Sequence, residues 1–489
     1  MITLALIFFP VLAAILMIIL GDRYARRIAL GASIVELVIA LFALSQFVPE
    51  NGTQLEVMYE WIPSLGMTFH VGIDGISMVM VLLTTFLVPL IIASSFNSSI
   101  NNKIESPAAF YTLIILMEMA LIGVFVALDG FLFYVYWELA LIPIYFICLL
   151  WGGKGSARIT VKFFVYTLAG SLLMLAAFIY LYLHTAGVHS FDMLALYEAA
   201  QGLSMTEQSY IFWAIFLAFA IKMPLFPLHT WQPDTYTISP ANGTMLLSGI
   251  MLKMGTFGAI RWLIAMVPQA ANEWMYHAIL LAVIGILYAS SIAIIQKDFK
   301  RLIAYSSIAH VGLIAAGTFS LTEQGLQGAM IQMVSHGVNV VGLFFIIDII
   351  ETRTGTRELK ALGGIRNVNP QFSVFFLIIL LGSVALPLTN GFVGEFLLLV
   401  GLYQYNAVIA GFAGVSVILG AVYMLRSYQA VMLGETNSIT SGFGDLEKSE
   451  KAVLFIICAA IIVFGVYPKP LMDISAPAIH QLIEILKVS

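Results

Sequence analysis

Six ionisable residues interrupt long apolar stretches of this sequence. Glu138 sits in FLFYVYWELALIPIYF, Lys222 in AFAIKMPLFP, Lys253 in LLSGIMLKMGTFG, His310 in YSSIAHVGL, His336 in QMVSHGVNVVG and Glu395 in NGFVGEFLLL. A charge near the centre of a membrane helix costs roughly 2.5 to 3.5 kcal/mol on insertion scales, so a chain sparing with charge is not expected to scatter such groups idly. Glu, Lys and His can each exchange a proton once burial and neighbours move their pKa toward neutrality. Arginine cannot, and none lies mid-span. The chemistry these types suit is proton relay. A buried Lys beside a Glu is held charged, and separating them lets desolvation drive the Lys to release its proton, so Glu138 with Lys222 is a candidate switch.

Each position also has a plainer role open to it. Glu138 and Lys222 could pair to hold helices together, and His310 and His336 could be packing residues hydrogen-bonded between helices. Lys253 has no fixed partner in sequence, which favours relay. Glu36, Glu118 and Asp348 also lie in apolar runs, where interfacial or locally paired placement explains them equally well. Gly243, Gly249, Gly255 and Gly258 read as close helix packing that leaves room for water around Lys253.

The elements that must position these residues follow from composition. The 489 residues are 61% hydrophobic and only 10% charged, with a mean hydropathy of +0.99, which no ordinary soluble globule matches. Apolar runs of about 20 residues recur, each long enough to cross a hydrocarbon core of about 30 Å as a helix, and the weak alternation of a membrane barrel is missing. The expected fold is an all-α integral membrane protein in the lipid bilayer. Spans are predicted near 2–20, 28–48, 73–95, 108–128, 131–150, 162–184, 208–235, 241–266, 275–295, 301–319, 326–350, 372–400, 406–429 and 452–468, about fourteen in all. The whole chain, 1–489, reads as one polytopic membrane domain: three N-terminal spans (1–107), a first five-helix repeat (108–266), a second (275–429), and a last span with a short tail (430–489).

Spans 7 and 12 are abnormal. YIFWAIFLAFAIKMPLFPLHTWQPDTY carries Pro224 and Pro227, and FSVFFLIILLGSVALPLTNGFVGEFLLLV carries Pro387 followed by Asn390 and Gly391. Proline removes helix hydrogen bonds and frees carbonyls that lipid cannot satisfy, so both breaks belong where protein or water surrounds them. They lie five spans apart. An odd offset reverses direction across the membrane, so a repeat relating spans 4–8 to spans 9–13 must be inverted, which is a transporter architecture with its site at the broken helices.

Charge gives the orientation. If the first connection is cytoplasmic, its side carries seventeen of the 22 Lys and Arg, among them Arg23, Arg26, Arg27, Lys103, Lys300, Arg301, Arg353 and Arg357. Arg261, Lys469 and Lys487 fall toward the other face, which places both termini outside. The opening run, Met1 to Leu20, lacks a basic n-region and a cleavage site and reads as a retained span.

Several functions drop out. A net charge of −5 offers nucleic acid no basic surface. Cys148 and Cys458 lie in separate runs with neither CxxC nor metal spacing and read as packing residues. GGKGS at Gly152 lacks the Ser/Thr and leading glycine of a phosphate loop. No soluble domain is visible, so redox or nucleotide chemistry must sit on other chains.

In order along the chain, FLFYVYWELALIPIYF, AFAIKMPLFPLHTW, SGIMLKMGTFG, KRLIAYSSIAHVG and FVGEF resemble the antiporter-like M-chain family of NADH-quinone oxidoreductase, respiratory complex I. The resemblance covers nearly the whole chain. It implies two inverted five-helix repeats, each with a broken helix, and a hydrated proton axis of Glu138 with Lys222, then Lys253, His310 and His336, then Glu395. Sister chains L and N generally carry Lys where Glu395 stands, and many relatives have His at Tyr236, so a proton uptake route through that His is in doubt here. The resemblance further implies a bacterial inner membrane, periplasmic termini and partners among the other membrane-arm subunits, especially L and N. It places NAD, FMN, iron-sulfur clusters and quinone on other subunits and no cofactor or metal on this chain. The leading reading is a proton-translocating subunit driven by quinone reduction elsewhere. The alternatives are a chain of a multisubunit sodium/proton antiporter, a scaffold of the membrane arm and, least favoured, a solute transporter.

Overall fold

The computed structural model describes residues 1–97 and 104–488, so Lys103 of the orientation argument lies outside the described residues. Helices α1 (Ile2–Leu20) and α2 (Asp22–Gln46) lead to a hairpin of β1 (Gln54–Ile62) and β2 (Met67–Ile73), then α3 (Gly75–Ser94) and α4 (Pro107–Val126). Next come α5 (Gly130–Leu139), α6 (Leu141–Trp151), α7 (Ser156–His184), the short α8 (Met193–Gln201), α9 (Met205–Lys222) and α10 (Gln232–Ile238). A continuous helical run follows: α11 (Ala241–Leu246), a π-helix (Leu247–Met251), α12 (Leu252–Gly258) and a second π-helix (Ala259–Ile264). The second half holds α13 (Pro268–Ile295), α14 (Phe299–Phe319), α15 (Glu323–Thr354), the one-turn α16 (Ile365–Val368), α17 (Pro370–Ser383), α18 (Asn390–Tyr405), α19 (Ala407–Met432), α20 (Lys448–Val466) and α21 (Lys469–Val488).

Among the described residues, twelve helices are long and apolar enough to cross a membrane, with Gly130–Trp151 and Ala241–Ile264 each counted as one run. The two broken pairs, α9 with α10 and α17 with α18, fall where the proline-interrupted spans were expected and stand outside that twelve. Burial sorts the rest. The run through α12 and the stretch of α15 from Gly325 to Ile350 are enclosed, whereas α1, α2 and α19 present apolar side chains such as Ile19, Phe42 and Ile418 outward. A helix apolar all round is either enclosed by its neighbours or faces lipid, and both kinds occur here.

Two features outside the spans add to the sequence reading. In the polar stretch after α2, β1 pairs antiparallel with β2, with Tyr59 opposite Phe69 and Glu60 opposite Thr68. Gly66 closes the turn at φ 59°, where a side chain would meet the carbonyl of His189. The short tail expected after the last span is the amphipathic helix α21, packed on α3 and α15.

The hairpin is tied to the outer ends of other helices. Asp129 caps α5 by accepting from the amides of Phe131 and Leu132 and also accepts from Thr68, both amide and hydroxyl. His70 reaches Asp192 at 2.8 Å and Glu56 at 3.7 Å. On the opposite face, Asp234 takes Lys162 and Arg301, at 3.3 and 3.0 Å, and Glu450 takes Arg353 at 2.5 Å. On the expected basic side, Lys162, Arg301, Arg353 and Arg357 are therefore held in ion pairs.

The hydrogen bond from Asp192 holds the His70 pKa above its ordinary value, against the opposing effect of burial and with smaller help from the nearby charges of Asp192 and Glu56. A raised folded-state pKa contributes stability below the unfolded value and loses it as pH rises through the raised one. Amide exchange in β2 should therefore increase through that window beyond the intrinsic base-catalysed rise, and His70→Gln should remove the step. An identical profile in the variant would leave Asp129 as the anchor.

Candidate functional site

Lys253 sits on α12 between two π-helical stretches, and a π-helix inside an α-helical run turns side chains out of their regular register. Its Nζ donates to the carbonyl of Ser248 at 2.6 Å and to Nδ1 of His336 on α15 at 2.8 Å. Close packing makes the contact feasible. Gly255 has no room for a side chain against Met223 and the carbonyl of Phe219, so α12 lies directly on the end of α9.

From His336 the polar contacts continue. Its Nε2 lies 3.1 Å from the hydroxyl of Ser307 on α14. Its ring centroid is 5.9 Å from that of His310, three residues after Ser307 on the same helix. Nδ1 of His310 meets Glu395 on α18 at 2.9 Å, and Gln332 donates to the same carboxylate oxygen at 3.3 Å. One cavity is lined by Ser307, His310, Gln332, His336 and Asn339, and another by His310, Ser383, Glu395 and Tyr423. Each has room for about one water. Four of the six expected residues thus form one buried chain from Lys253 to Glu395.

The first two stand apart from it. Lys222 is the last residue of α9, fully buried, and its Nζ makes no hydrogen bond among the described residues. The expected ion pair with Glu138 is not closed: among the described residues no contact within 4.0 Å joins them, and Lys222 lies 5.1 Å over the ring of Trp137 instead. The reason is positional. Glu138 is on α5, next to Trp137, and the indole face takes the cation while one carboxyl oxygen of Glu138 is buried with no hydrogen-bond partner among the described residues.

At each break a side chain from another element or turn donates to a backbone carbonyl, while both polar atoms of the buried Asn390 side chain lack a partner among the described residues. Trp231 Nε1 donates to the carbonyl of Ile221 at 2.9 Å, and Ser335 donates to the carbonyl of Asn390 at 3.0 Å. Glu36 and Glu118 lie buried on α2 and α4 with no hydrogen-bond partner for any carboxyl oxygen, away from the chain of contacts. Asp348 is buried on α15 and interacts with Lys300. Sequence reasoning passed over Ser307, Gln332 and Tyr423. The first two were legible as helical neighbours of the histidines, at His310 minus three and His336 minus four, whereas Tyr423 carries no such signal. Lys300, counted among loop charges, is also buried.

Residues 127–421 match the family described as NADH:quinone oxidoreductase/Mrp antiporter, and residues 4–124 match the amino terminus of NADH-ubiquinone oxidoreductase chain 4. The chain belongs to this family. A relative of this member is NADH-quinone oxidoreductase subunit M of Rickettsia prowazekii, 40% identical over 95% of this chain and 93% of that one. A chain of respiratory complex I from Thermus thermophilus superposes with a TM-score of 0.91 at 30% identity, covering 99% of this chain and all of that one. A chain of the Mrp complex from Dietzia sp. has the same fold, with a TM-score of 0.85 over 99% of each, at 19% identity. The oxidoreductase/antiporter family member described here therefore shares its fold with both kinds of assembly and its closer sequence likeness with subunit M.

Glu395→Gln keeps a hydrogen-bonding group beside His310 but removes the carboxylate that could take up and release a proton there. Proton uptake by reconstituted vesicles should fall at least about tenfold, within the range general acid–base groups contribute. Uptake at the parent rate in an assembled variant would remove Glu395 from the path.

Proposed function

We propose that this chain is the antiporter-like, proton-translocating subunit of a membrane-bound NADH-quinone oxidoreductase, working as one part of that translocase. The observation that carries the proposal is the buried sequence of exchangeable groups, Lys253 Nζ, His336, Ser307, His310 and Glu395, in van der Waals or hydrogen-bond reach of one another inside an apolar bundle. A structural scaffold has no use for such a run, since every group in it costs insertion free energy.

In this reading Glu138, Lys222, Lys253, His310, His336 and Glu395 carry the protons. When Glu138 approaches Lys222 the cation is stabilised; in the separated arrangement Lys222 can discharge toward Lys253. His336 then connects Lys253 to His310, and Glu395 receives the proton on the far side of the α17–α18 break. Moving one charge against 100 mV costs about 2.3 kcal/mol, which quinone reduction in other subunits supplies, where NAD, FMN, iron-sulfur clusters and quinone reside. The partners are the membrane-arm subunits, especially the sister chains L and N, in a bacterial inner membrane.

Counting the two broken pairs as crossings gives fourteen spans, with both termini periplasmic and the two five-helix units, 108–266 and 275–429, as inverted repeats. The reading is supported by the ion-paired basic band at one face and by the matching positions of the two breaks. The sodium/proton antiporter reading shares the fold, but the Mrp chain superposed above is 19% identical, against 40% for subunit M of Rickettsia prowazekii.

The switch is tested by a double-mutant cycle on NADH-driven proton uptake. Glu138→Gln and Lys222→Met should each lower it at least about tenfold while the chain still co-purifies with NADH dehydrogenase activity, and the double variant should be no worse than either alone. Additive losses would mean that the two residues act independently.

A further inference from the structure

Lys300 is a third buried lysine, and none of the steps above uses it. It stands in the first turn of α14, only 3% exposed, and its Nζ donates to the carbonyl of Ser239 at 2.6 Å. Around it are the charged groups of Asp298, Asp348, Glu351 and Arg357. Of these, Glu351 and Asp298 are open to the aqueous face, with 38% and 32% of their side-chain surface exposed. The Lys300 amine therefore lies between water-accessible carboxylates and the interior.

On its inner side a line of hydroxyls leads to the axis. Ser239 ends α10, and Tyr236 lies one turn earlier, wholly buried. The Tyr236 hydroxyl faces Gln232 and Ser307 without closing a hydrogen bond to either. Ser307 is seven residues after Lys300, two turns along the same face of α14, and its hydroxyl contacts Nε2 of His336 at 3.1 Å.

We infer that Lys300 is the residue that loads protons into the axis from the basic face, passing them through Tyr236 and Ser307 to His336; this rests on the proton-translocating reading above. The transfer balances as one proton in and one proton on. The Lys300 ammonium gives up an N–H proton toward the Tyr236 and Ser307 hydroxyls, each of which accepts one proton and donates another. Nε2 of His336 takes the incoming proton while Nδ1 passes its own to a neutral Lys253 amine, so the imidazole stays neutral but changes from its Nδ1–H to its Nε2–H tautomer and Lys253 becomes ammonium. Lys300 is recharged from water by way of Asp348 and Glu351. A tyrosine at 236 conducts through its hydroxyl but does not store a proton, so storage falls to Lys300.

The competing role is structural. A cation at the C-terminal carbonyls of α10 caps that helix, as Arg357 also does through Thr237 at 3.2 Å. Arginine would cap equally well and cannot release its proton. In the assembled complex, Lys300→Arg should lower NADH-driven proton uptake at least tenfold. Lys300→His, which keeps an exchangeable proton of lower affinity, should restore part of it with a pH optimum moved to the acid side. Parental uptake in Lys300→Arg, or an unmoved optimum in Lys300→His, would overturn the assignment. Tyr236→Phe tests the same route without touching the cap and should cut uptake severalfold; parental uptake there would also overturn it. Glu395→Gln run in parallel separates the failures: if it alone stops pumping, only the loading role of Lys300 falls, and if none of the variants affects pumping, the translocation reading falls with it.

Discussion

An ammonium group enclosed by helices on all sides is tolerated only when its protons are taken up by other groups, because neither lipid nor apolar side chains can replace water around it. For Lys253 the acceptors are one carbonyl and one imidazole nitrogen, Ser248 and His336. Much of the architecture follows from supplying them. The π-helices flanking α12 set the lysine toward α15, the small Gly255 lets α12 lie against α9, and α15 is buried from Gly325 to Ile350, which brings His336 to the same depth. An imidazole that accepts at one nitrogen can pass a proton at the other, so satisfying the charge and conducting it are the same contact.

The two halves of the axis are built differently. From Lys253 to Glu395 the groups touch, and Ser307, Gln332 and small cavities fill the intervals. Between Glu138 and Lys222 there is an opening, with the cation resting on the Trp137 face. A connected half beside an open one is what a gated path requires, since a line of groups in permanent contact would leak protons down the gradient.

Much of this was legible in the sequence because the membrane imposes so few solutions. Apolar length marked the long helices, and Pro224, Pro227 and Pro387 marked the two breaks, since proline acts on the backbone wherever it stands. The six ionisable positions stood out for the same reason: in an apolar run each is costly. What was not legible depends on contacts distant in sequence. The hairpin at residues 54–73 is held by Asp129 and Asp192, which local pattern does not disclose. The π-register around Lys253 is a matter of helix packing against α9 and α15, and its glycines hinted only at closeness. Lys300 looked like one more loop cation because it borders KDFKR, and only the fold turns its side chain inward onto Ser239. The opening between Glu138 and Lys222 depends on the Trp137 ring, which motif spacing leaves undetermined.

The central claim is that Lys253 takes up and releases a proton in each cycle. Replacing it with arginine keeps the positive charge and the donors to Ser248 and His336 while fixing the proton in place. NADH oxidation and proton uptake should be measured together in vesicles containing the assembled Lys253→Arg complex. The account predicts that uptake falls at least about tenfold, the low end of what a proton-transfer group contributes. Uptake at the parental rate, with the complex intact, would contradict it and leave Lys253 as a fixed charge.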